Sequence, residues 1–326
     1  MTAEAGEERT LTPFAGWVRF LETTHPDVIA ERIPAGPDTA ALTAHYPELA
    51  RVEVRDVTID GAGGMPARLY REPGRATGTA LVWAHGGAFV TGDLDMPEAN
   101  WVGLTLASRG VPVLSIEYRK CLRGTRFPAP SDDVLAAWHW AVEHAEELQA
   151  EPSGLHLGGA SAGGNLAAGV TKRLRDGAGP LPASLLIVYG ALHAQLPPAS
   201  AELRARTDTA TGLFLTADMA PEINRNFTGA EAALADPYAF PANGDAAGQP
   251  PVYLLNSDTD FLRASGEAYA AQLATAGVPV RVEFEPGSLH GHLNEPFTPA
   301  AERSLDRITA WLTSTTAPHR PLPAGD

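Results

Sequence analysis

Lysine is nearly missing from this 326-residue chain, with Lys120 and Lys172 standing alone. Lysine and arginine together number 24 against 39 aspartates and glutamates, a net charge of −15. That balance argues against nucleic acid or an anionic membrane surface as a partner and reads as a source of solubility. Cysteine is reduced to Cys121. A solitary cysteine excludes an internal disulfide framework and fits a reducing compartment, so a cytoplasmic location is expected. With no histidine pair at zinc spacing either, no metal is expected. No apolar run approaches the ~20 residues that a membrane-crossing helix needs, so no membrane span is expected. Met1 to Thr10 is acidic and polar, without the apolar centre of a secretory signal, and is expected to be disordered. What remains is 44% hydrophobic, enough for a sizeable core.

The order of patterns along the chain points to one domain. Thr12-Pro13 reads as a helix cap followed by proline at the first helical position, with Phe14, Trp17, Val18 and Leu21 on one face. A broken helical stretch follows from His25 to about Leu49, interrupted by Pro34, Gly36 and Pro37. From Arg51 the character changes. Val52 to Ile59 and Met65 to Tyr70 read as a hairpin around Gly61-Ala62-Gly63-Gly64, and Thr79 to Ala84 as a buried strand. Val111 to Ile116, Ser184 to Tyr189, Val252 to Asn256 and Val278 to Phe284 continue the strand series, separated by helical segments. One of these helices, through Ala136 and Val142, has Asp132 or Asp133 as its expected cap. Residues 191–245 carry short helical pieces and no strand signal, and read as an insertion. Strands alternating with helices predict an α/β fold with a mostly parallel sheet covered on both faces.

One stretch carries a chemical signature. Leu155 to Ala160 reads as a strand, Leu166 to Leu174 as a helix, and Gly159-Ala160-Ser161-Ala162-Gly163 joins them. A serine at the tip of so tight a turn is held in strained torsions, and the chain on either side comes too close for side chains. The turn lifts the hydroxyl out of the fold at a helix N-terminus, where negative charge is favoured. A nucleophilic serine needs a base, an orienter for the base, and donors for an oxyanion. Candidates stand beyond the ends of separate strands, where open α/β sheets build their sites. His85-Gly86-Gly87-Ala88 offers the N–H groups of Gly86 and Gly87, and Ala162 offers its own. His290 follows the last strand on a glycine-flanked loop. Asp258 and Asp260 compete for the orienting carboxylate. The order serine, acid, histidine is that of the α/β-hydrolases.

At this point the sequence resembles the hormone-sensitive-lipase branch of the α/β-hydrolases, which includes many bacterial esterases and deacetylases, from about Leu81 to Trp311. His85-Gly86-Gly87-Ala88-Phe89 matches its HGG oxyanion motif, and Glu117-Tyr118-Arg119 with Phe127-Pro128-Ala129 echoes its YR…FPA segment. Gly159 to Asn165 resembles its GDSAGGN, Asp260 to Arg263 its DPLR, and His290-Gly291 its HG. The resemblance selects Asp260 as the acid. It implies an α/β-hydrolase fold with a central sheet of about eight strands, helices on both faces and a helical cap. The cap would comprise residues 1–50 and the insertion 191–245, over a catalytic domain spanning 51–326. The expected activity is that of a serine carboxylesterase acting on a small or medium ester, a deacetylase among the options. Ser161, His290 and Asp260 would form its triad, with Gly86, Gly87 and Ala162 as oxyanion donors and no cofactor. The resemblance also allows a homodimer, which family members often form through the sheet edge.

Departures from the family pattern keep two other readings open. Ala160 replaces an acidic residue, Ala88 a third glycine, and His292 a position that is often aromatic. Lys120 to Thr125 replaces an LAPE-like stretch. All are expected near the bound substrate. Lys120 to Thr125 and His292 motivate an amidase, a lactonase, or an acyl-transfer or cyclising enzyme of natural-product metabolism on the same fold. A non-catalytic ligand-binding relative is the reading from a different class.

Overall fold

The structure is a computed structural model and describes residues 12–33, 36–60, 63–210 and 216–314. The expected disorder of residues 1–10 and the first half of the Gly61–Gly64 turn lie outside them. Eight strands form one sheet: β1 (Glu53–Ile59), β2 (Met65–Arg71), β3 (Gly78–Ala84), β4 (Val113–Ile116), β5 (Ala150–Ala160), β6 (Leu185–Val188), β7 (Val252–Thr259) and β8 (Val280–Leu289). Their order is β1-β2-β4-β3-β5-β6-β7-β8. The β1–β2 hairpin and the β2–β4 pair are antiparallel; every later pair is parallel.

Ten α-helices are present among the described residues: α1 (Pro13–Thr23), α2 (Pro26–Arg32), α3 (Thr39–His45), α4 (Pro97–Ser108), α5 (Ala129–Glu143), α6 (Ala162–Arg173), α7 (Ala201–Thr209), α8 (Ala220–Thr228), α9 (Arg263–Thr275) and α10 (Pro299–Ser314). Thr12 caps α1 as its sequence position predicts, accepting the Ala15 N–H. Alternation along the buried strands divides the core into two layers. Val82, Leu157, Ile187 and Leu254 face α5, α6 and α9, whereas Leu81, Trp83, Leu186 and Leu255 face α4 and α10. Residues 191–245 contain α7, α8 and short 3-10 turns, and among the described residues no strand.

The expected cap at Asp132 or Asp133 is corrected. Helix α5 starts at Ala129, and Asp132 falls in its first turn. Asp133 lies fully buried inside it, where its carboxylate accepts the Arg119 backbone N–H and grips the guanidinium at 2.8–3.0 Å. The pair holds the chain leaving β4 against α5.

Candidate active site

Ser161 stands at the junction of β5 and α6 with φ 53° and ψ −117°, a region side chains rarely occupy. Surrounding backbone enforces the turn. A Cβ on Gly163 would lie 2.0 Å from the Ala84 carbonyl oxygen, and one on Gly159 would lie 2.4 Å from the Gly163 carbonyl carbon. The Ser161 N–H is anchored on the Val188 carbonyl at the end of β6, at 2.8 Å. Only glycine on either side lets the three strand ends meet here.

The structure brings Ser161, His290 and Asp260 together. His290 Nε2 lies 2.9 Å from Ser161 Oγ, and His290 Nδ1 lies 2.7 Å from Asp260 Oδ2. Asp260 is fully buried just beyond β7, and its other oxygen accepts the Leu262 N–H. Burial lowers the His290 pKa, but the Asp260 charge, its hydrogen bond and the nearby Glu98 outweigh it. The net result is raised above the usual histidine value. The acceptor character of a carboxylate places the Nδ1 proton toward Asp260 and leaves Nε2 facing the serine.

Asp258 serves elsewhere. Its carboxylate binds Arg263 and Arg206, each at 3.0 Å, and accepts the Gly287 N–H at 2.8 Å. It thereby ties α7 of the insertion and the end of β8 to the start of α9.

Gly86 corrects one expectation. Its N–H donates to the carboxylate of Glu98 and is not directed at a ligand. The next two residues, Gly87 (φ 115°) and Ala88 (φ 50°), bend the chain beside Ser161. A Cβ on Gly87 would sit 2.2 Å from the Thr91 carbonyl oxygen, so the bend requires glycine. Ala162 occupies the first position of α6, where helix N–H groups have no partner within the helix.

Glu98 is a residue that sequence reasoning missed. It is 1% exposed at the start of α4 and receives the Tyr189 hydroxyl at 2.6 Å as well as the Gly86 N–H. Asn294 also donates to it, at 3.4 Å. Burial raises its pKa, against the pull of these donors. The signal available in sequence was the one charged residue of the stretch Pro97–Ser108.

Most of the departures from the family pattern do not reach the substrate space. His292 is buried between the hydroxyls of Ser257 and Ser304, at 2.9 and 2.8 Å, and burial lowers its pKa to about 4. Cys121 is buried with its thiol pushed up to about 12 by desolvation. Ala160 is buried in the layer facing α4 and α10. Lys120 lies behind the loop, its ammonium 3.2 Å from His85 Nε2. Ala88 alone among them lines a cavity, shared with Ser161.

That cavity, about 570 Å³, opens over Ser161 and His290. Phe14 and Trp17 of α1, and Met219 just before α8, form its outer wall. A smaller space of about 20 Å³ shares Ser161 and Ala88 with it. Among the described residues no group of three or more His, Cys, Asp or Glu side chains could hold a metal ion. No helix among them is long and apolar enough to cross a membrane.

A profile of the alpha/beta hydrolase fold matches residues 81–294, which include the whole of this constellation. The chain belongs to the α/β-hydrolase family. Within it the chain falls in the hormone-sensitive-lipase-like group. Carboxylesterase NlhH of Mycobacterium tuberculosis is 32% identical over 272 residues, covering 82% of this chain and 83% of that protein. The ethyl acetate hydrolase of Pseudomonas putida is 33% identical over 233 residues, 69% of this chain and 70% of that one. The solved structure of EstE1, a thermostable carboxylesterase from a metagenomic library, is similar with a TM-score of 0.74 at 27% identity. It covers 94% of this chain and 99% of its own. The α/β-hydrolase fold that the family resemblance implied is thus the fold the chain has.

Proposed function

We propose that this α/β-hydrolase is a serine carboxylesterase whose triad is Ser161, His290 and Asp260. The observation that carries the assignment is the continuous path from Ser161 Oγ through both ring nitrogens of His290 to the buried Asp260 carboxylate. His290 Nε2 takes the hydroxyl proton as Ser161 attacks the ester carbonyl. Asp260 holds the ring in the productive tautomer and stabilises the imidazolium. The N–H groups of Gly87, Ala88 and Ala162 receive the oxyanion, with Gly86 kept for the Glu98 anchor. His290 then returns the proton to the departing alcohol, and a water molecule repeats the sequence on the acyl-enzyme.

Helix α1 and the 191–245 segment act as the cap, since Phe14 and Trp17 of the one and Met219 of the other wall the cavity, whereas Leu42 of α3 packs in the core layer with α4 and α10. The substrate is a small-molecule ester. A homodimer through the β8 edge, where Val282 and Phe284 are exposed, is the assembly we infer, and sedimentation velocity tests it.

The deciding experiment is labelling with a fluorophosphonate probe beside turnover of p-nitrophenyl acetate, the matching anilide and a lactone. Wild type labels and hydrolyses the ester fastest, and Ser161→Ala does neither, losing roughly a millionfold in kcat. Amide or lactone turnover without ester turnover would overturn the reading. His292 and the 120–125 stretch, which motivated such alternatives, line neither space beside Ser161.

A further inference from the structure

We propose that Arg123 is a positioning residue that holds helix α1 as the outer wall of the cavity over Ser161, and so sets how tightly bulky esters bind; this rests on the esterase reading above. Arg123 belongs to Lys120–Thr125, the stretch that departs from the family pattern and lines neither space beside Ser161. Its influence on substrate runs through the helix it holds.

The turn at Arg123 is shaped to reach α1. Arg123 has φ 49° and Gly124 φ 85°, two successive residues in the left-handed region. With the chain bent this way, the Arg123 backbone N–H donates to Glu22 Oε1 at 2.6 Å. Its guanidinium Nη2 donates to the Leu21 and Glu22 carbonyls at 3.4 and 3.3 Å. Those carbonyls lie in the last turn of α1, where a helix has no donors of its own to satisfy them. A cation there is also favoured by the helix dipole, and α1 supplies no basic residue in its own last turn. Arg123 supplies one from a distant part of the chain.

The same stretch is tied to the rest of the site. The Cys121 N–H donates to the Phe89 carbonyl at 2.7 Å, one residue beyond Ala88. The Cys121 carbonyl accepts from the Asn226 side chain of α8 at 3.0 Å. The loop after β3, helix α8 and helix α1 thus meet on the three residues Cys121 to Arg123. Arg123 is the member that brings α1 into the group.

Apolar packing does not fix the height of α1 by itself. Phe14 and Leu21 are buried on its underside, but such contact is non-directional. Toward α8 the side of the helix borders an open groove lined by Ala15, Val18, Arg19 and Arg225. Directional ties stand at the two ends: Thr12 donates its hydroxyl to Glu222 of α8, and Arg123 grips Leu21 and Glu22. Phe14 and Trp17, the part of α1 that walls the cavity, lie between them. Releasing the C-terminal tie loosens this wall. The hydrogen bonds joining Ser161, His290 and Asp260 involve no residue of α1 and are kept.

The test uses the full chain and two variants. Arg123→Gly removes the guanidinium and suits the positive φ at this position, so the turn is kept. Arg123→Lys retains a cation for the end of α1. Steady-state rates are measured on ethyl acetate, a small ester, and on 1-naphthyl acetate and p-nitrophenyl octanoate, which are bulky at opposite ends. Arg123→Gly raises KM about fivefold for at least one bulky ester, with its kcat and both constants for ethyl acetate within about twofold of wild type. Arg123→Lys recovers most of the lost binding. A merely structural role would lower kcat on all three esters alike and leave every KM unchanged. That pattern, or a KM raised equally for ethyl acetate, overturns this inference and leaves the esterase reading standing. Absence of turnover of every ester by wild type, with no fluorophosphonate label on Ser161, overturns the esterase reading and this inference with it.

Discussion

Glu98 and Gly86 are joined by a hydrogen bond from the Gly86 backbone N–H to a carboxylate that is almost wholly buried. The same carboxyl group takes the Tyr189 hydroxyl at 2.6 Å, and the Tyr189 ring meets the His290 ring edge-on at 5.1 Å. One side chain thus holds both the loop of the proposed oxyanion donors and the surroundings of the proposed base. Glu98→Ala leaves two buried donors without acceptors, each worth about 1–3 kcal/mol. The expected result is a lowered denaturation midpoint and a kcat reduced about a hundredfold with KM little changed. Glu98→Gln keeps an acceptor for Gly86 and recovers most of both. Urea titration and steady-state kinetics on the two variants check this.

Asp260 and Asp258 are two residues apart, and their environments give them separable phenotypes. Asp260→Asn leaves the His290 tautomer uncontrolled and lowers kcat about ten-thousandfold. Asp258→Asn weakens the ties to Arg206, Arg263 and the Gly287 N–H. It is expected to lower stability while kcat stays within about tenfold of wild type. Thermal unfolding beside kinetics on both variants reads the difference. The reverse pattern would move the acid to Asp258.

With His290 as the proposed base, its raised pKa is expected to set an acid limb. The base works only when neutral, so activity is lost as pH falls through that pKa, which lies above the ordinary 6.5. Removing the Asp260 charge withdraws the principal cause of the rise and leaves the lowering by burial. In Asp260→Asn the limb of kcat/KM therefore moves to lower pH, even as the plateau drops. A pH profile of wild type and variant from pH 5 to pH 9 tests the sign.

Much of this arrangement was readable from the chain because it follows from repeating local rules. Apolar runs such as Leu81–Ala84 and Leu185–Val188 announce buried strands. Each loop after such a strand falls at the same end of a parallel sheet, which is why residues 86, 161, 260 and 290 were candidates together. What stayed hidden depends on pairings distant in sequence. Glu98 is defined by partners at 86, 189 and 294. The N–H of Gly86 looked free because nothing local announces an acceptor twelve residues away. His292 looked exposed to substrate until Ser257 and Ser304 were found on either side of it. Strand β7 runs past Asn256 to Thr259 because Ser257 and Asp258 are buried with partners, although their polarity reads as a turn.

Lys120 gives the last prediction. All three of its ammonium donors are engaged, by Glu117 at 2.7 Å, the Tyr118 carbonyl at 2.9 Å and His85 Nε2 at 3.2 Å. His85 is fully buried and its Nδ1 lies 2.6 Å from the Gly86 carbonyl. The carbonyl can only accept, so Nδ1 carries the proton and Nε2 is the acceptor that Lys120 satisfies. Burial and the Lys120 charge keep the ring neutral, well below the usual histidine range. Lys120 thereby fixes the ring that braces the loop carrying Gly87 and Ala88. Lys120→Leu restores the residue type of the family pattern but leaves Nε2 buried without a donor, a loss of about 1–3 kcal/mol. We expect a lower unfolding temperature and a kcat reduced about tenfold at nearly constant KM, since the loop acts on the transition state. If the loop were braced by Tyr118 alone, whose hydroxyl also reaches the Gly86 carbonyl at 3.0 Å, Lys120→Leu would lower stability and leave kcat untouched.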